Sequence, residues 1–394
     1  MKVMLQRICA LVFLIASCAG CGNTSNSNLS GSEQPNIPQG PNVLAVTIGG
    51  AGLCGGIWNQ PCVSVTLCLP GTVQCQTVND ILLDTGSVGL RIFRSVLTID
   101  FSTQIETDAQ GNLIGECLIF GTGADWGPVA MAGVVLAQEP DVVVPIHLID
   151  ATFAGQSGGS NPCGQPVDTK PTTAHHNGIL GIDGFVSDQR AGLYFSCGVR
   201  GCTPIAQPPG FVQNPVAALP ADNNGYVVMF PAVGNSGAAS LTGAVILGIG
   251  TQSNNAPTGV SVYMRDPATG TIATTYNGTT SPGFLDTGST FLFFRDPTIP
   301  LCHTISGAFC PSSPLNLSAV NQGSNQLSGN VNFQVANAGN FLNTGNVAFN
   351  NIGGPDTGLS GEFDWGLPFF LGRTVYVGID TRISTLGAGS YWAY

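Results

Sequence analysis

The chain has few charged residues, and most of those it has are acidic. Charged residues make up 8% of the 394 residues, and the formal net charge at pH 7 is −11. Removal of an N-terminal leader carrying Lys2 and Arg7 would lower this net charge to −13 and leave Lys170 as the only lysine. Such a surface repels phosphate backbones, so nucleic acid is excluded as an expected partner.

The chain also lacks long stretches with the apolar spacing of an amphipathic helix. It has 54 glycines and 26 prolines, and 43% of its residues are hydrophobic. This composition favours short strands joined by turns. Two segments rich in Gly, Asn and Ser, 155–177 and 312–358, are expected to form long surface loops or irregular hairpins. Strands are expected at residues 43–48, 63–69, 81–83, 142–149, 226–230, 244–247, 260–264 and 374–379.

Residues 1–20 are predicted to be a signal peptide. Its apolar run, 8–16, is too short to span a bilayer comfortably. Small residues then lead into cysteine, as in a bacterial lipoprotein signal, with Cys18 and Cys21 as the two candidates for lipidation. Cleavage before Cys21 leaves ten further cysteines, an even number that suits five disulfides. We therefore predict Cys21 as the lipidated residue, with secretion without a lipid as the alternative.

Residues 21–41 are expected to form a flexible tether, because they are mostly Asn, Ser, Gly, Pro and Gln. The folded part is expected to begin near Asn42. Neither candidate lipid cysteine is followed by Asp, which by resemblance to Gram-negative sorting suggests the outer membrane. The prediction is an exported, lipid-anchored protein of the outer membrane, periplasm or cell surface.

The remaining cysteines include pairs that are close in sequence. Cysteine spacing alone does not fix the connectivity of the disulfides. Short spacings that suit small disulfide loops separate Cys68 from Cys75, Cys197 from Cys202, and Cys302 from Cys310.

One tetrapeptide pattern occurs twice, about half a chain apart, each time after an apolar run. Such a repeat predicts two similar half-structures that each contribute one carboxylate to a shared site. The copies are Asp84-Thr85-Gly86-Ser87 and Asp286-Thr287-Gly288-Ser289.

The chemistry of this pattern points to paired acid and base catalysis. A strand that runs into Asp-Thr-Gly holds its carboxylate at a turn on a stiff support, where the hydroxyl groups can orient it. Two carboxyl groups a few ångströms apart share one proton over a broad acid range. The ionised member can activate water while the protonated member donates to a substrate carbonyl. Asp84 and Asp286 are therefore predicted to hydrolyse amides without a metal or cofactor.

The repeated motif resembles that of the pepsin-like aspartic proteases. Residues 177–182 and 369–377 resemble the two segments that pass beneath the catalytic turns in that family. Residues 244–250 resemble the strand that precedes the second turn. Residues 119–123 fall where the family carries its flap, the hairpin that covers the substrate.

The resemblance covers most of residues 42–394. It implies an all-β, bilobal fold with a substrate cleft between an N-terminal lobe, 42–225, and a C-terminal lobe, 226–394. It also implies that Thr85 and Thr287 brace the two turns against each other.

The candidate flap, Phe120-Gly121-Thr122-Gly123, departs from the family pattern. Phe120 stands where the family usually has tyrosine, and Arg91 stands where it has the tryptophan that partners this tyrosine. Trp126 could substitute for that tryptophan in part. Residues 22–41 also contain no basic inhibitory segment. These departures support an alternative, a catalytically silent member of the fold that binds a protein or peptide.

Three further patterns have ordinary structural explanations. Asp356-Thr357-Gly358 lacks a preceding strand and is predicted to be a surface turn. Residues 155–159 match the Gly-x-Ser-x-Gly pattern of serine hydrolases, but no strand precedes them. His175 and His176 are adjacent and have no further ligand at metal-binding spacing.

The sequence therefore predicts a monomeric endopeptidase that cleaves an extended peptide or protein substrate at acidic pH and is held at a membrane by its lipid. Besides the silent binding protein, a β-rich adhesive lipoprotein is an alternative. In that protein the two turns would repeat by chance, and Asp84 and Asp286 would lie far apart.

Overall fold

The glycine- and proline-rich chain folds almost entirely into short strands. The computed structural model describes residues 37–121, 123–155, 161–356 and 361–394, which belong to one compact unit. The predicted all-β class is confirmed, and each of the eight expected strands coincides with or overlaps an observed one. The signal peptide, the tether up to residue 36, Cys18 and Cys21 lie outside the described residues.

The first half of the described chain contributes twelve strands. They are β1 Val43–Gly49, β2 Pro61–Cys68, β3 Cys75–Asp84, β4 Val88–Phe93, β5 Leu113–Phe120, β6 Gly123–Val135, β7 Val142–Ile149, β8 Gly178–Ile182, β9 Leu193–Gly198, β10 Gly201–Ile205, β11 Gly225–Met229 and β12 Ser240–Leu247.

The second half contributes twelve further strands. They are β13 Val262–Met264, β14 Ile272–Tyr276, β15 Thr279–Leu285, β16 Leu292–Phe293, β17 Leu315–Gln322, β18 Ser328–Val335, β19 Gly353–Gly354, β20 Phe363–Trp365, β21 Thr374–Gly378, β22 Ile383–Ser384, β23 Gly387–Ala388 and β24 Tyr391–Ala393.

Helical structure in the described residues is limited to single turns. The four-residue α-helices are α1 Pro171–Ala174 and α2 Leu367–Phe370, and the 3-10 turns are Arg94–Val96, Ser102–Gln104, Phe153–Gly155, Pro215–Ala218 and Ala338–Phe341. No helix among the described residues is long and apolar enough to cross a membrane.

The strands form a fifteen-stranded sheet, a seven-stranded sheet and one two-stranded pair. The larger sheet contains β1 to β13 with β21 and β24, and the smaller contains β14 to β20. Strand β11 begins at the predicted lobe boundary, residue 225, and pairs with β12 on one side and β21 on the other. The boundaries of the two lobes remain a prediction.

The two sheets repeat one local arrangement. Strand β3 pairs in parallel with β8, and β15 pairs in parallel with β20. All five residues of β8 and all three of β20 are buried, as expected for short strands that are covered on both faces. These pairings place β3 and β15, which carry the repeated motifs, beside fully buried partners.

This pairing corrects one detail of the predicted resemblance. Residues 369–377 were expected to pass beneath the second turn, but β20 does so, at 363–365. Residues 369–377 instead begin within α2 and continue into β21, which pairs with β11 in the other sheet. The run of apolar residues is longer and more uniform in 369–377, so the sequence pattern favoured the wrong segment.

Segment 312–358 is more regular than expected. Within it, β17 and β18 form an antiparallel hairpin of eight paired residues, Leu315 to Gln322 against Ser328 to Val335. Asn and Ser side chains at alternate positions of these strands face solvent, as in a half-buried strand, but the high Asn, Ser and Gly content of the segment favoured loops. In 155–177, residues 156–160 lie outside the described part, and the rest contains only α1 and short turns.

Five disulfides confirm the expected number, and the three short loops are among them. Two of the short pairs lie directly opposite each other at the ends of hairpins, β2–β3 and β9–β10. The five join Cys54 to Cys62, Cys68 to Cys75, Cys117 to Cys163, Cys197 to Cys202, and Cys302 to Cys310.

A buried charged cluster in the first half of the fold is formed by side chains of β4, β5, β9 and the segment before β9. Arg91 is fully buried, and its Nη2 donates to Glu116 Oε1 at 2.7 Å and Asp188 Oδ2 at 2.9 Å. Burial and the neighbouring Glu116 raise the pKa of Asp188 to about 9. Asp188 therefore keeps its proton to higher pH than an exposed aspartate does. Tyr194 completes the cluster by donating to Asp188 Oδ1 at 2.6 Å.

We predict that Arg91→Met destabilises the fold by about 3–5 kcal/mol, because it leaves a buried carboxylate without a counter-charge. Urea unfolding measures this loss. Arg94→Met is the matched control, since Arg94 is 45% exposed in its 3.1 Å pair with Asp150 and such pairs contribute about 0–1 kcal/mol. Equal losses in the two variants would contradict the prediction.

Candidate active site

The two repeated motifs lie at the ends of strands that the surrounding sheet holds in place. Asp84 is the last residue of β3, which is paired with β2 and β8, and it is 5% exposed. Asp286 directly follows β15, and its backbone N–H donates to Trp365 O in β20 at 3.0 Å. Both aspartates are thus carried by rigid backbone, as the apolar residues before them predicted.

The two turns are joined by a reciprocal exchange of hydrogen bonds. Thr85 N donates to Thr287 Oγ1 at 3.1 Å, and Thr287 N donates to Thr85 Oγ1 at 3.0 Å. Each hydroxyl also donates across to the other strand, Thr85 to Leu285 O at 3.0 Å and Thr287 to Leu83 O at 2.8 Å. The separation of the two aspartates that an adhesive protein would show is not observed.

Each aspartate is oriented by its own turn in the same way. Gly86 N donates to Asp84 Oδ1 at 2.8 Å, and Ser87 Oγ donates to Asp84 Oδ2. In the second copy, Gly288 N donates to Asp286 Oδ1 at 2.6 Å and Ser289 Oγ donates to Asp286 Oδ2 at 2.9 Å. Both carboxyl groups therefore accept one backbone and one hydroxyl hydrogen bond.

The glycine of each motif faces the aspartate of the other. A Cβ on Gly86 would lie 2.6 Å from Asp286 Cγ, and a Cβ on Gly288 would lie 2.9 Å from Asp84 Oδ1. No side chain fits in either space, so the motif requires glycine for this close approach. The structure therefore brings together all six predicted supporting residues, Thr85, Gly86, Ser87, Thr287, Gly288 and Ser289, with the two aspartates.

The carboxyl groups of Asp84 and Asp286 face the same point of the site: a Cβ on Gly288 would lie 2.9 Å from Asp84 Oδ1 and 3.1 Å from Asp286 Oδ1. Burial raises the pKa of Asp286 well above its usual value, and the neighbouring Asp84 raises it further. Two adjacent carboxyl groups do not both ionise readily, so the pair holds a proton where an isolated aspartate would have lost it.

A cavity of about 380 Å³ opens beside the first turn. Its wall includes Thr85, Gly86 and Ser87 on one side, and Phe120 at the end of β5 on another. Strands β5 and β6 form the hairpin predicted as the flap, with Phe120 paired to Gly123 and Gly121 in the turn. Thr122 lies outside the described residues. A larger cavity of about 750 Å³ lies beside β17 and β18 and is lined by none of the motif residues.

Arg91, which stands at the position of the family's tryptophan, and Trp126, which could substitute for it, do not line this cavity. Arg91 belongs to the buried charged cluster. Trp126 is fully buried among Phe153 and Phe195, with ring centroids 5.7 and 5.5 Å away. The prediction that Trp126 substitutes for the missing tryptophan is therefore wrong, because β6 turns its ring into the core.

Sequence analysis missed an ion pair that forms another part of the cavity wall. Arg265 donates from both Nη atoms to the carboxylate of Asp183, at 2.6 and 2.8 Å. Its guanidinium carbon also lies 4.6 Å from the ring centre of Phe185 and 4.3 Å from that of Trp392. Asp183 directly follows the Gly-Ile-Leu-Gly-Ile segment, and this position next to a predicted site segment could have identified it. Nothing in the sequence marks Arg265 as its partner.

The described residues give no support to the other patterns singled out in the sequence. Residues 156–160 of the Gly-x-Ser-x-Gly pattern and residues 357–358 of the third Asp-Thr-Gly string lie outside the described part of the chain. His176 is buried, which lowers its pKa to about 4. Within the described residues, no cluster of three or more His, Cys, Asp or Glu side chains could hold a metal ion.

A protein-family model described as "Protein of unknown function (DUF3443)" matches residues 38–394. The chain belongs to this family. No curated protein matches the chain. The match spans both copies of the repeated motif, so the joined turns lie within the DUF3443 region.

We predict that Thr287→Val destabilises the DUF3443 fold by about 2–4 kcal/mol, because Thr85 N and Leu83 O both lose a buried partner. Thr287→Ser keeps the hydroxyl and is the matched control. Denaturant unfolding of the two variants measures the difference. If the valine variant were as stable as the serine variant, the hydroxyl exchange would not hold the turns together.

Proposed function

We propose that this protein is an aspartic endopeptidase with Asp84 and Asp286 as its catalytic pair. The observation that carries the proposal is the joined pair of turns, which brings two carboxyl groups beside each other and orients them by identical donors. The two-lobed arrangement of the pepsin-like proteases, with the substrate between the lobes, is part of the same proposal.

The proposed mechanism uses one proton shared by the pair. The two carboxyl groups titrate as a pair. In the proposed mechanism Asp286, whose pKa is raised by burial and by Asp84, is the member that carries the proton, and Asp84 is the base. Asp84 accepts a proton from water as the water oxygen attacks the scissile carbonyl carbon. Asp286 donates its proton to the carbonyl oxygen, which would otherwise carry a full negative charge. As the tetrahedral intermediate collapses, Asp84 delivers its proton to the leaving amine, Asp286 takes a proton back from a hydroxyl of the intermediate, and the amide bond breaks.

The proposed substrate is an extended peptide or unfolded protein that lies across the two turns beneath the β5–β6 hairpin. Phe120 supplies an apolar ring at the cavity wall, and Leu118 and Ile119 lie beside it. These residues favour apolar side chains near the cleaved bond.

We also propose that the protein is exported and held at a membrane by a lipid on Cys21. Five disulfides support a compartment outside the cytoplasm, where such bonds persist. Membrane contact through the lipid and a monomeric folded part belong to this proposal.

Cleavage of an unfolded protein between pH 3 and pH 7 tests the activity. We predict that wild-type protein cleaves in acid, and that Asp84→Asn and Asp286→Asn each lower kcat by at least about 10³-fold, because one member of the acid–base pair is lost. Asp356→Asn is the matched control, since Asp356 precedes Thr and Gly in the same way but lies outside the joined turns. Unchanged cleavage in either dyad variant would refute the mechanism.

We predict that the alkaline limit of cleavage lies above the ordinary aspartate pKa of about 3.9. A raised pKa means that Asp286 keeps its proton to higher pH, so the active form with one shared proton persists there. A pH profile of kcat/KM measures this limit. Activity confined to pH values below about 4 would contradict the assignment of the proton to Asp286.

The alternative is a silent binding protein with the same pair of turns. Phe120 favours it, because a phenyl ring lacks the hydroxyl that the family's tyrosine supplies at this position. Folded wild-type protein that binds an extended peptide without cleaving it at any pH would support this alternative.

A further inference from the structure

A third carboxyl group lies beside the proposed catalytic pair. Asp364 is the middle residue of β20 and is only 1% exposed. Its Oδ1 atom is buried and has no hydrogen-bond partner among the described residues. A buried carboxyl group without a cation requires an explanation, because an unpaired buried charge is strongly unfavourable.

The strand register places Asp364 on the same side of the sheet as the second catalytic aspartate. Asp364 lies opposite Phe284 of β15, and Phe284 is two residues before Asp286. Paired residues share a face, and so do residues two apart along a strand. The neighbours of Asp364 in β20, Phe363 and Trp365, point to the other face and pack in an aromatic core, 4.4 Å apart between ring centres.

The repeat provides an internal comparison. In the first half, Ile179 of β8 lies opposite Leu82 of β3, two residues before Asp84. Ile179 is therefore the counterpart of Asp364, and it is apolar and 4% exposed. The position does not require a polar side chain for folding. The additional carboxyl group thus distinguishes the second turn from the first.

Ser289 connects the two carboxyl groups on this side. Its hydroxyl donates to Asp286 Oδ2 at 2.9 Å and lies close enough to the Asp364 carboxyl group to influence its pKa. A hydroxyl group has one proton to donate. With that proton on Asp286, the Ser289 oxygen can only accept from Asp364, and such a bond requires a proton on Asp364.

The groups around Asp364 favour this protonated form. The charged groups that face it are the carboxyl groups of Asp84, Asp286 and Glu362. The adjacent β16 and α2 consist of Leu, Phe and Pro and contribute no titratable group. Burial is the largest effect and raises the pKa of Asp364 well above its usual value; Ser289 offsets part of this rise, and Asp84 and Glu362 add to it.

We propose that Asp364 is a positioning residue, which keeps its proton in the folded protein and donates it in a hydrogen bond to Ser289. A directed chain then runs from Asp364 through the Ser289 hydroxyl to Asp286. The chain fixes the Ser289 proton on Asp286 Oδ2 and holds that carboxyl group in the plane that faces Asp84. Its role in hydrolysis rests on the proposed function, whereas its protonation does not.

The protonation is tested by stability, without any assay of activity. A carboxyl group that is protonated in the folded state but ionised in the unfolded state stabilises the fold least at high pH. Asp364→Asn cannot ionise, so it removes the decrease in stability that Asp364 causes as the pH rises. It also keeps an N–H donor for Ser289. We expect its Tm relative to wild type to rise between pH 3 and pH 7 by at least about 2 °C. Glu362→Gln, a neighbouring carboxylate outside the strand, is the control and should show a smaller rise.

A Tm difference between Asp364→Asn and wild type that stays constant or falls with increasing pH would show an ionised Asp364 and overturn the proposal. This result would leave the dyad mechanism intact. Conversely, a protein without cleavage activity could still show the expected rise, so the two failures are distinguishable.

The positioning role is tested by hydrolysis. We expect Asp364→Asn to keep kcat and the pH profile, because the amide replaces the donor without adding charge. Asp364→Ile, which copies Ile179, removes the donor and is expected to lower kcat about tenfold with little change in KM. An alkaline limit that moves to lower pH in Asp364→Asn would show that Asp364 acts as a charge, and full kcat in Asp364→Ile would show that it has no positioning role.

Discussion

The reciprocal hydrogen bonds between Thr85 and Thr287 are the contact on which the arrangement of the site depends. They require β3 and β15 to end at one place with their backbones at hydrogen-bonding distance. That requirement explains why each motif has glycine after threonine, since a Cβ would strike the opposite aspartate. It also explains the parallel, fully buried partner strands β8 and β20, which keep each turn from moving. The exchange thus converts two local turns into one rigid unit.

A second constraint is the scarcity of cations in the interior. Two guanidinium groups, Arg91 and Arg265, lie beside buried carboxyl groups in the described residues, and burial raises the pKa of several other acidic residues. Burial raises the pKa of Asp125 to about 7 and that of Asp188 to about 9. Asp286 and Asp364 follow the same rule. Acidification therefore changes the charge of the interior little, because these buried carboxyl groups already carry protons near neutral pH.

The sequence predicted the elements of the site better than their connections. Strand positions, five disulfides and the likeness of the two turns could be inferred, because alternation, spacing and repeated motifs are local. The partner of β15 could not, since parallel pairing joins residues eighty positions apart and the more apolar run 369–377 competed with 363–365. Asp364 was missed for the same reason: a single acidic residue can be placed near the site only when the strand that pairs with it is known. The buried ion pairs of Arg91 could not be predicted either, because its partners Glu116 and Asp188 are distant in sequence.

The short disulfides have a consequence for a protein exposed to peptide-cleaving enzymes. Cys68–Cys75 joins the last paired residues before a hairpin turn, and Cys197–Cys202 joins the pair next to the last, before Gly198 and Gly201. A backbone cut inside such a turn creates two new chain ends, but the disulfide still joins the strands on either side. The ends cannot separate, and the sheet keeps its register. Nicked molecules would therefore retain their shape and remain in one covalent piece until the disulfides are reduced.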